Sequence, residues 1–149
     1  MEEKKVTNNL HKQTNSIVTS LEKIFKDLPH LPENIREVLV KIAPWLALVF
    51  GAFGVLAGLT AMGFSPFAMF GGVRTGMMVF LTGALTIVSS VLMLLAYPKL
   101  AKKQYQGWIY LFWAEALNAV YAVLIVSVGS ILGVLIGLYI LFEIKRYYK

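Results

Sequence analysis

Residues 75–97 read TGMMVFLTGALTIVSSVLMLLAY, a stretch without a single charged side chain. A helix needs about 20 predominantly apolar residues to cross the hydrocarbon core of a bilayer. Three further apolar stretches cover residues 44–62, 108–126 and 128–147, and the last of these becomes polar after Phe142. None of the four shows the alternation that membrane β-strands require. The sequence therefore predicts an all-α membrane protein with four transmembrane helices.

Composition supports this prediction and excludes several other classes. Of the 149 residues, 58% are hydrophobic and only 15% are charged, whereas about 25% of residues are charged in soluble domains. This composition argues against a soluble globule and against a disordered chain. The chain has no cysteine, which excludes disulfides, thiol catalysis and cysteine-bound metals.

The basic residues predict the topology. The formal net charge of +6 would suggest nucleic acid as a partner in a soluble domain, but here most of the excess flanks apolar stretches. Residues 1–43 carry seven lysines and arginines, the loop after the second span carries three and the tail carries three, whereas the loop after the first span carries only Arg74. Because basic loops stay on the cytoplasmic side, we expect the inner membrane, with both termini cytoplasmic, and no nucleic-acid partner.

The sequence divides into a polar segment, residues 1–43, and a transmembrane domain, residues 44–149. Within residues 10–28, apolar or small side chains recur at alternating intervals of four and three, from Leu10 to Leu28. This pattern predicts a cytoplasmic amphipathic helix that ends before Pro29. A second helix is expected to open at Pro32, and Pro44 is expected to end or kink it. The first helix could pair with a partner helix, lie on the membrane or fold back on the chain's own loops.

Small residues follow helical spacing in three of the spans. Close backbone approach supplies much of the packing energy between helices in lipid. The predicted packing glycines are Gly51, Gly54, Gly58, Gly76, Gly83, Gly129, Gly133 and Gly137. They predict either packing within the chain or self-association. Residues 63–73, GFSPFAMFGGV, are predicted to form an uncharged outer loop that lies in the membrane interface.

Glu115 is the only ionisable residue well inside a predicted span. A charge at such a depth is costly unless it is neutralised or paired. Asn118 follows one turn later on the same face, and the second span places hydroxyls at a similar depth. The predicted buried polar site is Glu115, Asn118, Thr86, Ser89 and Ser90. It serves either as polar packing or as a proton or ligand site.

Three segments resemble those of a family of small four-helix membrane proteins found mainly in bacteria with reduced genomes. They are LPENIREVLVKIAPW (residues 31–45), the Gly107–Trp108 start of the third span, and the ending LYILFEIKRYYK (residues 138–149). The resemblance implies the four-helix fold and no particular chemistry. Small multidrug resistance transporters are similar in having four short spans and one membrane glutamate. They differ in placing that glutamate in the first span and in lacking a polar head.

No catalytic, phosphate-binding or metal-binding motif is present, so we expect no catalytic residues, no metal and no cofactor. The expected function is that of a non-enzymatic structural, interaction or accessory protein in the lipid bilayer. Such a protein would self-associate or bind a partner helix through residues 10–28. The alternative is a small proton-coupled transporter that uses Glu115 and works as a dimer.

Overall fold

The four apolar stretches form four long helices. The computed structural model describes the backbone of residues 2–124 and 126–149 and the side chains of residues 8, 9, 12–124 and 126–149. Its helices are α1 (Glu2–Lys26), α2 (Glu33–Ala68), α3 (Val73–Ala101), α4 (Tyr105–Leu124) and α5 (Val128–Ile144), with short 3₁₀ turns at Met69–Gly71 and Lys145–Tyr147. The described residues contain no strand. Four segments are long and apolar enough to cross a membrane: Glu33–Gly71, Val73–Ala101, Tyr105–Leu124 and Val128–Tyr147.

The chain forms two compact units, Met1–Leu31 and Pro32–Lys149. The first unit contains α1, which ends at Lys26. The side chains of Leu10 and His11 lie outside the described residues, as does Ile125 near the end of the third predicted span. In the second unit Pro32 precedes the first residue of α2. The boundary predicted after residue 43 lies inside α2.

The outer loop predicted for residues 63–73 is largely helical, because α2 continues through Pro44 and Pro66 as far as Ala68. A proline inside a helix leaves the carbonyl four residues earlier without its backbone donor. For Pro66 this carbonyl belongs to Met62, and the Ser65 hydroxyl donates to it at 2.7 Å. The helical path ends at Gly72, whose φ of +120° suits only glycine.

Helices α2 and α3 pack through glycines at close backbone distance. A Cβ added to Gly58 would lie 2.8 Å from the Gly83 carbonyl oxygen, and one added to Gly83 would lie 2.9 Å from the Gly58 carbonyl oxygen. Nearby, Gly51 and Gly54 face Ser90 on α3. These glycines allow the two backbones to approach to a distance that a side chain would prevent.

The other predicted packing glycines divide into two groups. Gly76 lies against the Ser65 carbonyl, and Gly137 lies against Glu115. Around Gly133 the described residues leave open space, and around Gly129 they place only the Ser127 hydroxyl, 4.0 Å away. The first half of α5 therefore has room for a neighbour along this face.

Aromatic side chains join α4 to α5. The Trp108 ring is completely buried, and its Nε1 donates to the Leu141 carbonyl oxygen at 2.7 Å. The ring stacks on Phe112 and meets the edge of Phe142. Since indole has a single donor, this bond leaves no polar atom of Trp108 unsatisfied.

Arg36 and Glu143 connect the start of α2 to the end of α5. The Arg36 Nε lies 3.3 Å from Glu143 Oε2, and the two side chains are only 13% and 6% exposed. Glu143 is therefore buried against α2, although Lys145 and Arg146 are its near neighbours in the sequence. A second pair, Arg146 with Glu33 at 3.0 Å, lies at the surface.

Candidate functional site

A cleft lies between α2 and α5, with α3 and α4 behind it. Its volume is about 250 Å³. Five residues of α2, one of α3, two of α4 and four of α5 line it: Leu39, Ala43, Leu46, Ala47, Phe50, Met93, Leu111, Glu115, Gly137, Ile140, Leu141 and Ile144. Eleven of these twelve residues are apolar or glycine. We call this space the carboxyl cleft, because Glu115 is its one ionisable lining residue.

Glu115 lies against α5 where α5 has no side chain. A Cβ added to Gly137 would overlap the Glu115 carboxylate, so this glycine makes the room that the carboxylate occupies. Asn118 Nδ2 donates to Glu115 Oε2 over 3.4 Å, which is long for such a bond. The carboxylate thus keeps most of its capacity to accept hydrogen bonds.

The hydroxyls of the predicted polar cluster bond within α3. Thr86 Oγ1 donates to the Thr82 carbonyl at 2.8 Å, and the hydroxyls of Ser89 and Ser90 donate to the Thr86 carbonyl at 3.0 and 2.6 Å. Ser90 also lies against Gly54 of α2. The structure therefore brings Glu115 and Asn118 together, while the three hydroxyls are used on their own helix.

Several residues of the cleft were missed from the sequence. Ala43, Ala47 and Phe50 recur at intervals of four and three, which places them on one face of α2, and this spacing was available as a signal. Met93 carried no signal, since it stands in a uniformly apolar run. Gly137 was predicted as a packing residue, and its contact with Glu115 was not anticipated.

The chemistry available in the carboxyl cleft is that of one carboxyl group in apolar surroundings. Such a group can accept hydrogen bonds, pair with a cation or take up a proton. Apolar walls strengthen each of these interactions, because the local dielectric constant is low. Among the described residues there is no group of three or more histidine, aspartate and glutamate side chains placed to hold a metal ion.

No known protein family, curated protein or solved structure matches the chain.

Proposed function

We propose that this chain is a non-enzymatic interaction or accessory protein of the inner membrane, with four spanning helices and both termini in the cytoplasm. The distribution of basic residues supports the orientation, since 13 of the 14 lysines and arginines fall on the side of the termini. Exposed apolar side chains along the helices support the membrane setting, for example Phe53 at 67% and Val123 at 67% exposure. In water, so much exposed apolar surface would lead to aggregation.

The carboxyl cleft is the observation that carries the proposed activity, which is binding. Its partner is an apolar molecule with a positive charge, a lipophilic cation. The apolar walls from α2 and α5 exclude strongly hydrated ions, because those ions would lose their water without replacement. Within the described part of the chain, the half-buried Glu115 carboxylate receives only a long bond from Asn118, so a cation in the cleft would supply the charge partner that this acid lacks.

Binding of tetraphenylphosphonium to the protein in lipid nanodiscs tests this proposal, by equilibrium dialysis. We expect the Glu115→Gln variant to bind about tenfold more weakly or worse, since opposite charges about 6 Å apart attract each other by about 3 kcal/mol at an effective dielectric constant of about 20. Glu37→Gln is the matched control, because Glu37 is an exposed acid on α2 that does not line the cleft. Triphenylphosphine oxide, a neutral analogue, should show no dependence on Glu115. Equal binding of the cation by wild type and Glu115→Gln would contradict the proposal.

Proton-coupled transport of such a cation is the second candidate, with the protein acting as a dimer. The position of the Glu115 carboxyl group, which can take up a proton, in the carboxyl cleft between α2 and α5 favours this second candidate. Proton flux in sealed proteoliposomes under an imposed pH gradient distinguishes the two. Transport predicts a flux that requires both a lipophilic cation and Glu115, whereas binding alone predicts no flux from well-folded protein.

Self-association is part of both candidates. The open space beside Gly133 lets a larger side chain be placed there without a clash inside the chain. We expect Gly133→Leu to reduce the dimer population measured by single-molecule photobleaching in lipid. An unchanged population would mean that α5 does not form the contact.

Residues 10–28 are the proposed cytoplasmic contact for a partner helix. Deletion of residues 1–28 should remove crosslinked partners. Unchanged crosslinking after this deletion would exclude that role.

A further inference from the structure

A second cavity lies between the start of α2 and the end of α3. Its volume is about 280 Å³, and it shares no lining residue with the carboxyl cleft. The lining residues are Val40, Lys41, Pro44, Trp45, Tyr97, Leu100, Ala101 and Lys103. Apolar atoms form most of the lining, and two ammonium groups and two aromatic rings complete it.

The aromatic rings place this cavity at the level of the lipid headgroups. Trp45 and Tyr97 meet edge to face, with ring centroids 6.1 Å apart, and Trp45 is 61% exposed. Tryptophan and tyrosine concentrate where a bilayer meets water, since one part of each ring is apolar and another is polar. The cavity therefore opens where phosphate groups of the membrane would lie.

The side chains of its two lysines have neither an anionic partner nor a hydrogen bond among the described residues. Lys99, in contrast, donates to the amide oxygen of Gln106 at 2.6 Å. Glu37 stands one turn before Lys41 on α2, yet the two form no ion pair. The side chain of Lys103 is likewise unbonded within the described part of the chain.

The backbone holds Lys103 in a conformation that glycine adopts more readily. Its φ is +53°, which is costly for a residue with a Cβ. The position is fixed from both sides, because the Lys103 N–H donates to the Leu100 carbonyl at 2.9 Å and its carbonyl accepts from the Lys149 N–H at 3.1 Å. This left-handed residue completes a Schellman motif at the end of α3, since the Gln104 N–H also donates to the Lys99 carbonyl at 2.9 Å.

We propose that this cavity binds the headgroup phosphate of an anionic phospholipid. Lys41 and Lys103 would pair with the phosphate, and the first part of an acyl chain would lie along Val40, Pro44 and Leu100. A lipid fits better than free phosphate, because the apolar part of the lining, such as Val40, Pro44 and Leu100, can contact an acyl chain but contributes nothing to binding a free ion. This site is independent of the function proposed for Glu115.

Native mass spectrometry of the purified protein, titrated with phosphatidylglycerol or phosphatidylcholine, tests the site. Each lysine near an anionic headgroup increases the affinity for the lipid about fivefold. We therefore expect Lys103→Gly and Lys41→Ala each to weaken phosphatidylglycerol binding about fivefold and phosphatidylcholine binding less than about twofold, because the choline cation already neutralises the phosphate of phosphatidylcholine. Lys103→Gly should unfold at the same or a higher temperature, because it also relieves the left-handed backbone.

Lys102→Ala is the matched control. It removes the same charge from the neighbouring residue, which is exposed like Lys103 but does not line the cavity. It should change binding less than about twofold, because a charge outside the cavity acts on the bound phosphate only through screening water. An equal loss in Lys102→Ala would overturn the proposal in favour of general attraction to the surface. Equal affinity for the two lipids, or displacement of phosphatidylglycerol by millimolar glycerol phosphate, would also overturn it. If Lys103→Gly fails to fold, Lys103→Ala and Lys41→Ala carry the same test.

Discussion

Replacement of Gly83 by alanine is expected to weaken the α2–α3 interface, whereas the same replacement at Gly133 is not. A Cβ at Gly83 would lie 2.9 Å from the Gly58 carbonyl oxygen and 2.9 Å from Met62 Cγ, whereas ordinary contact begins near 3.4 Å. Met62 can turn aside, but the Gly58 carbonyl belongs to the backbone of α2. The two helices must therefore separate locally by about 0.5 Å, the difference between these distances.

The magnitude follows from two opposing effects. A gap of about 0.5–1 Å removes a quarter to a half of each dispersion contact across the interface, and overpacking of this kind costs about 1–3 kcal/mol. Alanine also favours the helix over glycine by up to about 1 kcal/mol. Both Gly83→Ala and Gly133→Ala gain this helix propensity. The difference in stability between the two variants is therefore the overpacking cost at Gly83. We expect Gly83→Ala to be less stable than Gly133→Ala by about 1–3 kcal/mol.

The free energy of unfolding can be measured by titration with sodium dodecyl sulfate in mixed micelles, with helix content followed by circular dichroism. The titration is made on protein diluted until it is monomeric, so that the proposed self-association at Gly133 does not contribute. Gly133→Ala is then the control, because it makes the same chemical change where the described residues leave open space. Equal stability of the two variants would refute the argument that backbone contact at Gly83 and Gly58 holds α2 against α3.

Two further predictions concern the start of α2 and the residues at and after the end of α5. Glu143→Gln should lower the free energy of unfolding by about 3–5 kcal/mol because it removes the buried carboxylate that pairs with Arg36. Glu33→Gln, at the exposed pair with Arg146, should cost at most about 1 kcal/mol. Similar losses in the two variants would contradict the burial of the first pair. Burial raises the pKa of Tyr148 from 10.0 to about 12, and its hydroxyl has no partner among the described residues. Because the unfolded chain loses this proton first, stability should fall between pH 10 and 12, by about 1.4 kcal/mol per pH unit at most. Tyr148→Phe should remove that fall, and an unchanged pH profile in this variant would be inconsistent with a buried phenol.

The four long helices were predictable from the sequence because apolar length alone identifies them. The segment between the first two was not, since Gly63 and Pro66 are residues that usually signal a loop. The Ser65 hydroxyl bonds the carbonyl that Pro66 leaves free, which lets the helix continue. That compensation depends on a side-chain rotamer, and spacing in the sequence does not reveal rotamers.

The candidate site was predictable only in part. Glu115 and Asn118 share a helix face, so their contact follows from helical spacing. The hydroxyls of α3 were assigned by depth alone, which does not indicate the helix face, and Ser90 lies against α2. The Arg36–Glu143 pair joins residues from opposite ends of the chain, and no local pattern indicates which charges meet across a bundle.

Photoaffinity labelling with a lipophilic cation that carries a diazirine tests whether Glu115 holds a cation in the carboxyl cleft. We expect labelling at Phe50 and Met93, which line the cleft, and loss of this labelling in Glu115→Gln. Phe53 is the internal control, since it lies on α2 three residues after Phe50, is 67% exposed and does not line the cleft. Labelling of Phe53 equal to that of Phe50, or labelling unchanged in Glu115→Gln, would show that Glu115 does not hold the cation in this cleft.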